Sequence, residues 1–213
     1  MIEVRKTAQF TKWFDSLKDS KDRARIQARI DRVEMGLFGD VEPVGEGVSE
    51  LRIFYGPGYR EYFMQINAVV VILLSGGDED AQQADIAKAK EIAKQVEVKI
   101  MGIKTTRWDS AEHLKTDEDI QLYLEACIEE AGDDPAFIVH ALGVIARAKN
   151  MSQLARDTGL TREGLYKAFS TDGNPTFTTV AKVAKALGLQ ITVQMSSKEP
   201  SNHQFHATST AGA

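Results

Sequence analysis

Residues 68–74 read Ala-Val-Val-Val-Ile-Leu-Leu, the longest unbroken apolar run in the chain, and no other feature limits the fold as much. Seven residues fall far short of the ~20 that span a bilayer. Val and Ile favour extended backbone, and the run lacks the polar alternation of a half-exposed strand. Val69 to Leu74 therefore reads as a strand buried on both faces, inside a layered fold.

The rest of the first hundred residues builds an α+β unit around it. Residues 1–6 suit a short strand. Phe10, Trp13, Phe14 and Leu17 fall at i, i+3, i+4 and i+7, one apolar face of a helix. A second helix over about 20–35 turns Ile26, Ile30, Val33 and Leu37 to the core. Arg25, Arg29 and Arg32 form a basic stripe beside that face. Gly36, Gly39, Pro43, Gly45 and Gly47 mark a loop. Strands are expected over 48–55, 59–67 and 68–75, the first two joined by Gly56-Pro57-Gly58, where Pro fixes φ and Gly accepts φ > 0. A helix follows over 81–96, with Ala89, Ile92, Ala93 and Val96 at helical spacing. There is no GxGxxG, and Gly76-Gly77 alone makes no phosphate cradle.

The second half reads as helical. Residues 117–131 carry Ile120, Leu124, Cys127 and Ile128 on one stripe, and residues 135–148 begin with a proline suited to a first turn. Three short helices centre on Leu154, Leu165 and Val183, residues 190–195 alternate like a strand, and the polar stretch 196–213 reads as a disordered tail. Within this half, residues 151–170 (MSQLARDTGLTREGLYKAFS) have the spacing of a helix-turn-helix. Ala155 is small inside the first helix, Gly159 permits the left-handed turn, and Leu154, Leu160 and Leu165 are the apolar anchors. Thr161 would cap a recognition helix over 161–170 that presents Arg162, Glu163, Tyr166 and Lys167. Arg162 is placed for a base edge, Tyr166 and Lys167 for phosphates.

Charge is informative only when divided. The 213 residues carry a net −5, with 43% hydrophobic and 27% charged residues. Residues 104–145 hold 3 basic and 10 acidic groups, whereas 146–187 hold 7 and 3. Bulk charge gives no argument for nucleic acid, but the basic stretch coincides with the helix-turn-helix, and phosphate contacts act within ~8–10 Å. The single cysteine, Cys127, excludes an internal disulfide framework, and the charged start Met1-Ile2-Glu3-Val4-Arg5-Lys6 is unlike a signal peptide. A cytoplasmic protein with no membrane partner is expected.

Two resemblances divide the chain. Residues 105–195 resemble HigA-like antitoxins encoded directly downstream of their toxins. The stretches that carry this are Trp108-Asp109-Ser110-Ala111-Glu112-His113-Leu114, Ala141-Leu142-Gly143 with Ala146-Arg147-Ala148, and Gly173-Asn174-Pro175-Thr176-Phe177. Residues 1–98 resemble the partner HigB/RelE-like addiction module killer proteins through Phe38-Gly39-Asp40, residues 45–52 (GEGVSELR), Gly56-Pro57-Gly58-Tyr59-Arg60, residues 73–78 (LLSGGD) and Gln83-Ala84-Asp85-Ile86. Together they imply a fused toxin–antitoxin pair. Its parts would be a RelE-like α+β domain, a junction over 99–104, and an all-α helix-turn-helix domain with a short C-terminal strand. The toxin part would be a ribosome-dependent mRNA endonuclease without metal or cofactor. The antitoxin part would inhibit it and bind operator DNA as an autorepressor, in a homodimer. One departure stands out: where the toxins usually carry lysine after Gly-Gly-Asp, this chain has Glu79 and then Asp80.

The residues themselves narrow the chemistry. All four histidines lie beyond residue 100, which removes a His-pair ribonuclease from the first half, and no carboxylates there cluster at metal-ligand spacing. A hairpin symmetric about Pro57 would set Arg52 opposite Tyr62 and Phe54 opposite Arg60 on one face, with Leu51, Ile53 and Phe63 facing the helices. Two guanidiniums could stabilise a phosphorane, and Tyr62 could act as base if those arginines lowered its pKa from ~10. The catalytic set is thus Arg52, Arg60 and Tyr62, with Arg25, Arg29, Arg32 and Phe54 as RNA contacts. The bland alternative pairs Arg52 and Arg60 with Glu50 and Glu61. At the level of function, the alternatives are a DNA-binding repressor with an inactive first half, and a plain interaction protein.

Overall fold

A computed structural model describes residues 1–98, 105–132, 134–170 and 173–192. The first half runs β1 (Glu3–Lys6), α1 (Ala8–Ser16), α2 (Ser20–Glu34), β2 (Val41–Gly45), β3 (Val48–Ile53), β4 (Tyr59–Asn67), β5 (Val70–Gly77) and α3 (Gln82–Val98). The second runs β6 (Thr106–Arg107), α4 (Asp117–Ala131), α5 (Pro135–Lys149), α6 (Met151–Thr158), α7 (Arg162–Ala168) and α8 (Phe177–Ala186), with a 3₁₀ turn at Ser110–His113. The strands form one sheet in the order β2-β3-β4-β5-β1-β6. β1 and β5 are parallel, and the other pairs are antiparallel. The fold is mixed α and β, compatible with the expected α+β class.

The apolar run explains the layering. Val71 and Leu73 of β5 face a core with Phe10, Phe14, Ile26, Ile30, Leu51, Ile53 and Phe63, under α1 and α2. Ile72 and Leu74 face the other core with Val48, Tyr62 and Met64, under α3. A strand in this position has no solvent side, so it tolerates no polar residue until Ser75.

Three expectations for the first half are corrected. Residues 41–45 form β2 rather than loop. Gly45, Glu46 and Gly47 all take positive φ and fold the segment back on β3, and Pro43 is tolerated because β2 is an edge strand. The β3–β4 hairpin is centred on Gly56, not Pro57: Arg52 lies opposite Arg60 and Glu50 opposite Tyr62. Its loop is closed by the Gly58 N–H donating to the Tyr55 carbonyl at 3.1 Å, so Phe54 falls outside the strands and is 82% exposed. The two-residue slip preserves side-chain parity, which leaves Arg52, Arg60 and Tyr62 on one face. Leu37 lies past the end of α2 and is exposed, because the helix closes at Met35 and Gly36 takes φ of 85°.

In the second half, local capping chemistry sets the boundaries. Thr116 and Asp119 make a reciprocal capping box on α4, Asp134 caps α5 ahead of Pro135, and Asn150 caps α6. Ile128 on α4 is exposed, unlike Ile120 and Cys127, since the buried stripe turns to Tyr123 and Ala131. Residues 190–192 are irregular rather than strand, and the rest of that expected strand, the 99–104 junction and the tail lie outside the described residues.

The halves share their cores. β6 extends the sheet beyond β1, and the Trp108 N–H donates to the Val4 carbonyl at 2.9 Å. The Trp108 ring is 1% exposed and sits edge-on to Phe10 and Phe14. α2 turns Ile26, Ile30 and Val33 to the sheet, while its small residues Ala24 and Ala28 pack in a second core with Tyr123, Cys127, Phe137, Ala141 and Ile145 of α4 and α5. Small side chains on that face let α4 approach closely.

Candidate functional site

The basic stripe of α2 meets the acidic end of α4. Arg25 is ion-paired with Glu129, and its guanidinium lies 4.7 Å from the Tyr55 ring centre. Arg29 reaches Glu130 Oε2 at 3.5 Å and donates to the Phe38 carbonyl at 2.9 Å. Arg32 donates to the Glu130 carbonyl and lies over the Phe137 ring. A cavity of about 300 Å³ opens beside these contacts, lined by Arg25, Arg29, Arg52, Phe54, Glu129 and Glu130 among others. The structure thus brings together four of the residues expected at an RNA site, with two carboxylates from the acidic stretch beside them. Asp134, also in that stretch, instead caps α5, and Asp133 lies outside the described residues.

The expected catalytic trio is divided. Glu50 is buried and accepts from Arg52 Nε at 2.9 Å; Arg60 Nε lies 3.8 Å from it, and Gln82 donates to it at 3.1 Å. Arg52 also pairs with Glu42, and Arg60 lies 3.6 Å from Glu79. Both arginines are therefore charge-compensated, by Glu50 as the alternative reading had it. Glu61 is not part of that arrangement. It is fully buried, neither carboxylate oxygen is hydrogen-bonded among the described residues, and burial raises its pKa well above the ordinary range.

Tyr62 is a correction in chemistry as well as register. Its side chain is fully buried, with a hydroxyl that has no hydrogen-bond partner among the described residues. Burial, reinforced by the Glu50 carboxylate, pushes its pKa up to about 12 despite Arg60. That shift is opposite to the lowered pKa that a phenol base would need.

A second cluster, unmarked in the sequence, lies at the contact of α2 with the second half. Asp31 is buried and accepts from Ser110 Oγ at 2.6 Å and from the Tyr123 hydroxyl; Ser110 in turn accepts from the Trp108 indole at 2.8 Å. Glu34, one turn on, and His140 of α5 complete it: one ligand-capable atom of each of Asp31, Glu34 and His140 lies within 4.8 Å of the others. Burial raises Asp31, and burial with the Asp31 charge pushes Glu34 up to about 8, while burial lowers His140. The grouping joins both halves of the chain, with His140 lying 106 positions from Glu34.

On the outer side of the second half, α6 and α7 are joined through Gly159, which takes φ 68° and ψ 22°. Thr161 caps α7, accepting from the Gly164 N–H at 3.0 Å. Thr161, Arg162, Glu163, Tyr166 and Lys167 are all exposed, while Leu165 is fully buried against Leu142, Leu154 and Val183. Gly143 of α5 packs so closely on the Phe169 backbone that a β-carbon would crowd it. No helix among the described residues is long and apolar enough to cross a membrane.

Comparison with known proteins adds to this geometry. A family model described as probable addiction module antidote protein matches residues 104–195. An uncharacterized protein of Haemophilus influenzae is 61% identical over 89 residues, 42% of this chain and 90% of that protein. A second uncharacterized protein of the same organism is 44% identical over 95 residues, 45% of this chain and 96% of that protein. No solved structure matches the chain. Through residues 104–195, the chain belongs to the family of probable addiction module antidote proteins.

Proposed function

We propose that the chain is a self-neutralised toxin–antitoxin pair, in which residues 1–98 act on mRNA at the ribosome and residues 105–195 silence them and bind operator DNA. The carrying observation is the engagement of Arg25, Arg29 and Arg32 by Glu129 and by the carboxylate and carbonyl of Glu130. Carboxylates from the antidote segment occupy the ground where RNA phosphates would neutralise the same guanidiniums. Joining both parts in one chain raises their mutual effective concentration to the order of mM. With Tyr62 protonated and buried, the RNA-acting surface is the cavity of Arg25, Arg29, Arg52 and Phe54, where an aromatic ring stands ready to stack on a splayed base.

The test keeps the chain whole. Glu129→Lys with Glu130→Lys should turn a harmless full-length chain into one that arrests growth and cleaves mRNA in cells. Adding Arg25→Ala and Arg29→Ala should abolish that effect. A folded double variant that leaves mRNA intact would defeat the nuclease reading. It would leave a repressor with a silent first half, the reading favoured by the Arg60–Glu79 contact and the burial of Tyr62.

The exposed face of α7 supports operator binding by a helix-turn-helix, most naturally as a homodimer on two half-sites. Arg162→Ala should lower the preference for DNA upstream of the coding region over random duplex by about tenfold or more, the value of a bidentate base contact. A gel shift showing equal loss on both duplexes would reduce Arg162 to a phosphate contact.

A further inference from the structure

We propose that Asp31, Glu34 and His140 form a binding site for one divalent transition-metal ion, of the Zn²⁺ or Mn²⁺ class, that ties α2 to α5. This goes beyond the functional reading above and does not depend on it.

Four observations converge. The three side chains are buried, and one ligand-capable atom of each lies within 4.8 Å of the others, a spread that small side-chain adjustments close around an ion. His140 Nε2 is buried and makes no hydrogen bond among the described residues, an orphan of the kind that a ligand satisfies. Asp31 is held on both carboxylate oxygens by the Ser110 and Tyr123 hydroxyls, the outer-shell support that orients metal-binding carboxylates. A cavity of about 350 Å³ borders Glu34 and His140, with room for water to complete the coordination sphere.

Charge points the same way. Two carboxylates one helical turn apart in a buried site repel each other, and a divalent cation held between them relieves that repulsion. Arg107 and Arg147 line the same cavity, but Arg147 is engaged by Asp109 at 3.3 Å. One imidazole nitrogen with two carboxylates suits Zn²⁺ or Mn²⁺, whereas Ca²⁺ prefers an all-oxygen shell.

The experiment uses the full-length, untagged chain, stripped with chelator and titrated with ZnCl₂ or MnCl₂. Bound metal is read by equilibrium dialysis and stability by the melting temperature. The expected result is one ion per chain with a rise in melting temperature, and at least about tenfold weaker binding in Glu34→Gln and in His140→Asn. Circular dichroism checks that the variants fold. Co²⁺ on the wild-type chain gives an independent readout, visible absorption bands of a nitrogen- and oxygen-ligated site, that needs no variant. Absence of saturable binding by Zn²⁺ and Mn²⁺, or absence of the Co²⁺ bands, overturns the proposal. So does binding retained in both variants, which would belong to other groups such as His203 and His206.

Discussion

Trp108→Ala lowers the stability of the chain by about 3–5 kcal/mol, the usual loss on truncating a fully buried aromatic, read from the shift in denaturant midpoint. Trp108 stands in the antidote-family segment, yet its ring fills the core under α1, with centres 5.9 Å from Phe10 and 5.2 Å from Phe14. It also stacks on His113 at 4.7 Å, and its indole N–H reaches Ser110. Nothing else among the described residues is positioned to refill that volume. A loss of less than about 1 kcal/mol would mean that the 105–114 segment collapses into the gap, which the backbone bond to Val4 opposes. Cutting the chain after residue 98 removes the same ring. Residues 1–98 alone are therefore expected to be less stable than the full chain by at least this amount.

Asp31→Ala is the second large effect, about 3 kcal/mol, because it leaves the Ser110 and Tyr123 hydroxyls buried without their acceptor at ~1–3 kcal/mol each, partly offset by removal of a costly buried carboxyl. Asp31→Asn should cost no more than about 1 kcal/mol. Its amide oxygen still accepts from Ser110, and its NH₂ can donate to the Tyr123 oxygen if that hydroxyl turns. The contrast between the two variants, measured by denaturation with chelator present, separates lost hydrogen bonds from lost charge. Equal losses would show that the negative charge, and not the bonding, holds this contact together.

What the sequence made legible, it did through short-range chemistry. The apolar run gave β5, the periodicities gave α1 to α3, and Gly159 and Thr161 marked helix ends in their own vicinity. The arginine stripe on α2 and the acidic block of 104–145 were each visible in the sequence. What remained hidden depends on position in space. Hairpin register turned on whether Phe54 joined the strand, a choice made by the Tyr55–Gly58 bond rather than by Pro57. Tyr62 looked available because alternation places it beside two arginines; only the α3 layer shows that it is sealed. Trp108 and His140 carried no local mark of their partners, which lie about a hundred positions away.

The double duty of α2 has a kinetic consequence. The helix is a party wall, with the sheet on one side and α4 with α5 on the other. Peeling α4 from it would bare Ala24 and Ala28 and strand the Asp31 carboxyl at once, so the acidic end of α4 cannot simply drift off and rebind. Freeing the arginines becomes a slow step, whose rate is governed by the barrier to opening the wall rather than by any dissociation constant.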